Sequence, residues 1–342
     1  MKTLLSLCMP SNRSFARSYG SIETALIFAE KTGCRLIVSD NSRDAQKSAY
    51  WIGRSENLLY LADAPLDANQ NLLNGMRRAD TPFLLMLGDD DEIFLRDDLS
   101  PISLEGLPAD IVGVRPELLL WTSAGGVRHS ETFEILAQDP EARFAEYNAK
   151  AMANNSLYYS LWRREAFCAI IEAIQTHPTK GGYIDWAIVF ALVSIGRVVH
   201  DPSILLRYDW DRWSTDEGID AANTSLYSGA SLKNIDTAIS VLLRFLDIHC
   251  FLQLIALPMS PDEREAASRA NSKLHFCAFA MLLQSHEGLM AHPLAPVILA
   301  VAHVPEPEVT FDVACDLLDN WDLGKPGLGT LYRDYLEAMR AA

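Results

Sequence analysis

Along the first two hundred positions, apolar residues come in short uncharged runs separated by polar turns. Phe83-Leu84-Leu85-Met86-Leu87 carries no charge and predicts a strand buried on both faces of a sheet. Leu4–Met9, Arg35–Ser39 and Leu58–Ala62 repeat the pattern. Between the first two runs, Ile22, Ala25, Leu26 and Ala29 recur at helical spacing, and Gly33 sits where a helix C-cap glycine belongs. Strand, helix, strand in that order implies a parallel pair with a right-handed crossover. Asn69–Ala79 predicts a helix before the Phe83 run. Ile111–Arg115 and Leu118–Trp121 predict two strands divided by Pro116, and Arg197–His200 and Ile204–Tyr208 predict two more. Helices are expected at Phe144–Met152, Arg163–Ile174 and Ala187–Ile195.

From about Leu226 the pattern becomes helical throughout. Ile235, Ala238, Ile239, Leu242, Phe245 and Leu246 form one stripe. Ser260-Pro261-Asp262-Glu263 has the signature of a helix start: N-cap serine, proline at N1 and glutamate at N3. Leu274–Leu283, Leu294–Ala302, Phe311–Trp321 and Leu331–Met339 complete the series. The expected fold class is therefore α/β, a mostly parallel sheet flanked by helices with an all-helical C-terminal part. The division falls at residues 1–222 and 223–342. The helical part reads as a packing or dimerisation module, a route to a homo-oligomer; acceptor recognition is its functional alternative.

Composition narrows the partners. The 342 residues are 49% hydrophobic and carry a formal net charge of −16, which argues against nucleic acid as the main partner. The six cysteines are scattered without CxxC spacing, and most read as small core residues in a reducing compartment. The apolar N-terminal run is too short for a signal peptide. The longest apolar stretch, Ile235–Leu257, is broken by Asp236, Arg244, Asp247 and His249, so no transmembrane segment is expected. These features give a cytoplasmic expectation.

The candidate chemistry lies at the ends of the predicted strands. Gly88 closes the Phe83 run, and Asp89, Asp90, Asp91 and Glu92 follow together. Adjacent carboxylates repel one another unless water, a cation or other donors offset the charge. A hard divalent ion with oxygen ligands would do so; a solvated acidic turn is the plainer alternative. Pro10-Ser11-Asn12-Arg13 and Asp40-Asn41-Ser42 form polar turns after the first two strands. Ligands of open α/β sheets sit outside the carboxyl ends of the strands, where all three turns fall. Asp185, just before an apolar helix, serves from local sequence equally well as an N-cap or as a catalytic carboxylate.

Four pieces together resemble a family 2 glycosyltransferase of the GT-A (Rossmann-like) fold. They are Pro10-Ser11-Asn12-Arg13, Ser39-Asp40-Asn41-Ser42-x-Asp44, Gly88-Asp89-Asp90-Asp91 after an asparagine-bearing helix, and Tyr183-Ile184-Asp185-Trp186. The likeness covers roughly residues 1–215. It implies a metal-dependent inverting transfer of sugar from a nucleotide-sugar donor, a UDP-sugar favoured, to a glycan, lipid-linked or protein acceptor. By that resemblance Asp89 and Asp91 hold Mn²⁺ or Mg²⁺, with Asp90 an alternative partner for the donor. Pro10, Ser11, Asn12, Arg13, Asp40, Asn71 and Arg78 line the nucleotide site, and Asp185 is the general base.

Competing classes are separated by what the chain lacks. A nucleotidyltransferase needs a Gly-rich, Arg-containing phosphate loop after strand one, and Pro10-Ser11-Asn12-Arg13 has no glycine. A phosphohydrolase with an Asp-x-Asp nucleophile places it after strand one, whereas this triplet lies further along. A non-catalytic binding or scaffold protein on the same fold remains the alternative from another class.

Overall fold

The structure, a computed structural model, describes residues 1, 3–62, 66–151, 154–180 and 184–341. Gly181, Gly182 and Tyr183, which belong to the expected loop before Asp185, lie outside the described residues, as does Met152. The chain forms two compact units. One comprises 1–136, 156–172 and 197–219, the other 137–155, 173–196 and 220–342.

The first unit begins with β1 (Leu5–Ser11), α1 (Phe15–Thr32), β2 (Arg35–Asp40), α2 (Ala45–Trp51), β3 (Leu58–Leu61), α3 (Ala68–Met76) and β4 (Phe83–Met86). β5 (Glu92–Leu95), β6 (Ile111–Thr122) and β7 (Gly126–Glu131) follow. After α4 (Pro140–Lys150), which belongs to the second unit, come β8 (Leu161–Arg163) and α5 (Arg164–Ile174). α6 (Ile184–Ile195) is again in the second unit, and β9 (Arg197–Asp209) returns to the sheet.

The nine strands form one sheet in the order β3-β2-β1-β4-β8-β6-β9-β5, with β7 paired to β6. The half that holds β3, β2, β1 and β4 is parallel, as the strand–helix alternation requires. β8 joins antiparallel to β4 and β6, while β6 and β9 run parallel. The sheet is thus mixed, curled and flanked by helices, which accords with a GT-A-like fold. β4 is buried on both faces, with Phe83, Leu84, Leu85 and Met86 each at most 2% exposed. Burial at that level contributes about 2 kcal/mol per side chain.

Two strand pairs expected from the sequence are single long strands. Pro116 does not end β6: it sits opposite Asp201, and Glu117 opposite Leu205. The three partner residues between, Pro202, Ser203 and Ile204, take up a bulge in β9. Proline lacks the donor a regular ladder needs, and an irregularity of register is where it is tolerated. β5, β7 and β8 were not expected: β5 has only Ile93-Phe94-Leu95 directly after the acidic triplet, β7 is mostly exposed and β8 has three residues.

The second unit is helical. Beyond α4 and α6 it contains α7 (Asp216–Gly229), α8 (Thr237–Leu252), α9 (Pro261–Asn271), a π-helical turn at Ser272–Phe276, and α10 (Cys277–Gln284). α11 (Glu287–Met290), α12 (Ala295–His303), α13 (Pro307–Asn320) and α14 (Leu328–Ala341) finish the chain. α6 is apolar all round and buried from Trp186 to Ser194, as a helix without a polar face must be. It packs on α4 and α8, and α8 buries every side chain from Leu242 to Leu252 except Arg244. The expected cap of α9 is present: Ser260 and Glu263 form a reciprocal capping box. All six cysteines are free, and burial pushes the Cys34 thiol up to about 11. Among the described residues, no helix is long and apolar enough to cross a membrane.

Candidate functional site

Parallel pairing fixes where the polar turns meet. Ser11 at the end of β1 lies opposite Asp40 at the end of β2, and the Asn41 N–H donates to the Ser11 carbonyl at 2.7 Å. On the other side of β1, Cys8 lies opposite Met86, and the Leu87 N–H donates to the Cys8 carbonyl at 3.0 Å. The triplet that follows β4 is thereby brought against the turn that follows β1. Gly88 allows the tight reversal between them. A Cβ there would lie 2.6 Å from an Asp91 carboxylate oxygen and 2.7 Å from one of Asp90.

Asp89 is the best-held member of the triplet. Its Oδ2 accepts the Ser11 hydroxyl at 2.7 Å and the backbone N–H groups of Asn12 and Arg13 at 3.0 Å each. Its Oδ1 accepts Arg13 Nε at 2.9 Å, and the same guanidinium pairs with Asp90. Burial lowers the Arg13 pKa, but the carboxylates of Asp90, Asp89 and Asp209 outweigh it and hold the group above its ordinary value. Asp91 is buried. Its Oδ1 accepts the Asp209 N–H at 3.0 Å and its Oδ2 the Gly88 N–H at 3.3 Å. Burial, then the charge of Asp90, raises its carboxyl well above the usual range. Burial also raises Asp90, against the pull of Arg13.

Behind this turn lies a second charged group. Lys47, on α2, is completely buried, and its ammonium donates to Ser11 Oγ at 2.6 Å, the Arg13 carbonyl at 2.9 Å and Asp40 Oδ1 at 2.9 Å. Asp40 also accepts the Ser42 N–H at 3.1 Å, the Ser42 hydroxyl at 2.9 Å and the Tyr60 hydroxyl at 2.5 Å. Each carboxylate oxygen of Asp40 therefore serves two donors. Asp44 caps α2 and accepts the Phe15 N–H at the start of α1 at 2.8 Å. Asn71, buried on α3, accepts the Ser39 hydroxyl and donates to the Ser11 carbonyl at 3.3 Å.

Of the residues the sequence singles out, Ser11, Asn12, Arg13, Asp40, Asn71, Asp89 and Asp90 thus belong to one hydrogen-bonded cluster, while Asp91 beside it bonds to the Gly88 and Asp209 N–H groups. Pro10 adjoins the cluster on β1, opposite Ser39. Arg78 is exposed beyond the end of α3 and, among the described residues, makes no hydrogen bond to the cluster. Lys47 and Tyr60 were missed, because a lysine in a short helix and a tyrosine in a strand carry no local mark of a partner across the sheet.

Asp185 belongs to the helical unit. It lies in the first turn of α6 and accepts the Trp186 N–H at 3.0 Å. Burial raises its carboxyl above the usual range, opposed in part by the Asn155 side chain, the Trp186 N–H and then Arg244, whose guanidinium lies 4.6 Å from the Trp186 ring centroid.

The chain is similar in structure to S. aureus TarS. With TarS 1–349 the TM-score is 0.37 at 11% identity, covering 93% of this chain and 92% of that one. The complex of TarS 1–349 with UDP-GlcNAc gives 0.38 at 13% identity over the same shares. A likeness at this level fixes neither the activity nor the ligand of this chain. No protein-family model and no curated protein sequence matches it.

The cluster bears on metal binding. Asp89 spends its oxygens on four protein donors and Asp91 on two backbone N–H groups. Among the described residues, no three or more His, Cys, Asp or Glu side chains gather in a way that would hold an ion. The triplet as held here does not fit a divalent cation: Arg13 and backbone donors already offset its charge.

Proposed function

We propose that this chain is a glycosyltransferase that takes its sugar from a nucleotide-sugar donor. The observation that supports the reading is the convergence of Ser11-Asn12-Arg13, Asp40, Asn71 and Asp89–Asp91 at the carboxyl ends of parallel β1, β2 and β4. Open α/β sheets bind ligands at that place. Arg13 and the exposed Asn12 present donors at the rim, and Arg13 would turn toward the donor's diphosphate. Asp185 would accept the proton from the acceptor hydroxyl as that oxygen attacks the anomeric carbon; its raised pKa suits a base. A single displacement of this kind inverts the anomeric centre. No step is assigned to a metal, because the carboxylates do not present themselves to one.

A second reading is a binding or scaffold protein on the same fold. It is favoured by the saturation of Asp40 and Asp89 with internal donors, which leaves neither free for a nucleotide.

Calorimetric titration of UDP, GDP, CDP and dTDP, each with Mn²⁺ and with chelator, separates the two. The transferase reading expects one nucleotide to bind, UDP first. If binding needs Mn²⁺, the Asp89–Asp91 turn rearranges on binding, and Asp91→Asn abolishes the metal-dependent part. No binding to any of the four removes the transferase reading.

A further inference from the structure

Lys47 has no role in the proposed chemistry, yet it is a fully enclosed charge at the junction of three chain segments. Its three donors are all used, on the Ser11 hydroxyl, the Arg13 carbonyl and Asp40. A buried ammonium is costly unless paired and fully hydrogen-bonded, and this one is both. Two of its three acceptors belong to the 11–13 turn. The ammonium donates to Ser11 Oγ, which leaves that hydroxyl to donate to Asp89. The Arg13 carbonyl, drawn inward by Lys47, turns the following backbone toward α1, whose N-cap is Ser14. The peptide N–H groups of Asn12 and Arg13 then face Asp89.

We propose that Lys47 is a positioning residue. Its ammonium sets the shape of the 11–13 turn, and through that turn the orientation of the Arg13 guanidinium and the Asp89 carboxylate. Asp40 is the counter-charge that keeps Lys47 in place, and Tyr60 and Ser42 hold Asp40. The role in ligand binding rests on the transferase reading above; the role in shaping the turn does not.

The test is hydrogen exchange followed by mass spectrometry on the full chain, in wild type, Lys47→Met and the charge-balanced double variant Lys47→Met/Asp40→Asn. In Lys47→Met, amides in the 10–16 peptide should exchange at least tenfold faster, with peptides from β6 and α8 unchanged. Parallel acceleration throughout the first unit would reduce Lys47 to general stability and overturn the proposal. The double variant removes the unpaired Asp40 charge and should still show a loosened turn. Restored protection there would mean that Lys47 only neutralises Asp40, and would overturn the proposal as well. If neither variant folds, Ser11→Ala carries the test: it severs the link from Lys47 to Asp89 and should loosen the same peptide, and unchanged protection refutes the idea.

UDP titration supplies the second arm. Affinity should fall at least tenfold in Lys47→Met, and unchanged affinity beside a loosened turn overturns the positioning role. If wild type binds no nucleotide, the transferase reading fails, while the exchange comparison still decides what Lys47 does to the turn.

Discussion

At the scale of single residues, the molecule shows which side chains are chosen by their neighbours. Gly113 on β6 faces the fully buried Trp162, and a Cβ at that position would lie 2.7 Å from the indole ring. Both are rigid, so Gly113→Ala should cost about 1–3 kcal/mol, read as a lower denaturant midpoint at unchanged slope. Asp185→Asn should lower turnover by about a hundredfold or more with nucleotide affinity unchanged. A base works only when deprotonated, and burial raises this carboxyl. Turnover should therefore fall with acid at a pH above the ordinary aspartate range of about 3.9. Equal loss of affinity and turnover in Asp185→Asn would remove it as the base. Asp40 and Asp89 were legible in the sequence because apolar runs mark where β2 and β4 end. What those carboxylates bond to was not: Tyr60 lies twenty positions from Asp40, and Ser11 seventy-eight from Asp89.

At the scale of elements, the clearest local signals are the ones that needed no distant partner. The Ser260–Glu263 capping box was readable from four residues because its bonds close within one turn. Ser260→Ala should cost about 1 kcal/mol, measurable by thermal or urea unfolding, and Glu263→Ala alone should cost less. A loss within error for Ser260→Ala would show that α9 is held by its packing rather than its cap. The parallel half of the sheet was readable for a similar reason: each crossover is short and each strand apolar. The mixed half was readable only in part: β6 and β9 were expected, each as two shorter strands. β5 hides behind three aspartates and opens on a glutamate, and Pro116 reads as a break although β6 passes through it. Side chains report a strand's burial and say little about a strand at a sheet edge.

For the whole molecule, acid should be the sensitive direction. His249 and His275 are enclosed in the helical unit, and burial lowers both to about 3 from an ordinary 6.5. Neither ring nitrogen of His249 finds a hydrogen-bond partner among the described residues, and the ring stacks on Phe311 at 4.6 Å. Their folded pKa values lie below the unfolded one, so stability is complete above about pH 6.5. It falls as pH drops, because only the unfolded chain takes up the protons. At pH 5 that is about 2 kcal/mol for each histidine. Asp91 and Asp185, whose pKa values are raised, work in the opposite sense, so a single variant isolates the effect. His249→Phe should flatten the acid limb of a stability–pH curve by one proton and leave pH 7 stability equal or higher. An unaltered acid slope would mean that His249 is solvated in solution.

The helical unit is assembled from three separate stretches, and the chain enters or leaves it five times. That has a consequence for synthesis. α4 and α6 leave the ribosome before α8 and α9, the helices they pack against, have been made. α6, apolar on every face, must wait in the nascent chain until α8 appears. Until then the strand-bearing part is tethered to an uncovered greasy segment. Nascent chains stopped at residue 222 should bind holdase chaperones, and the full-length product should be released from them.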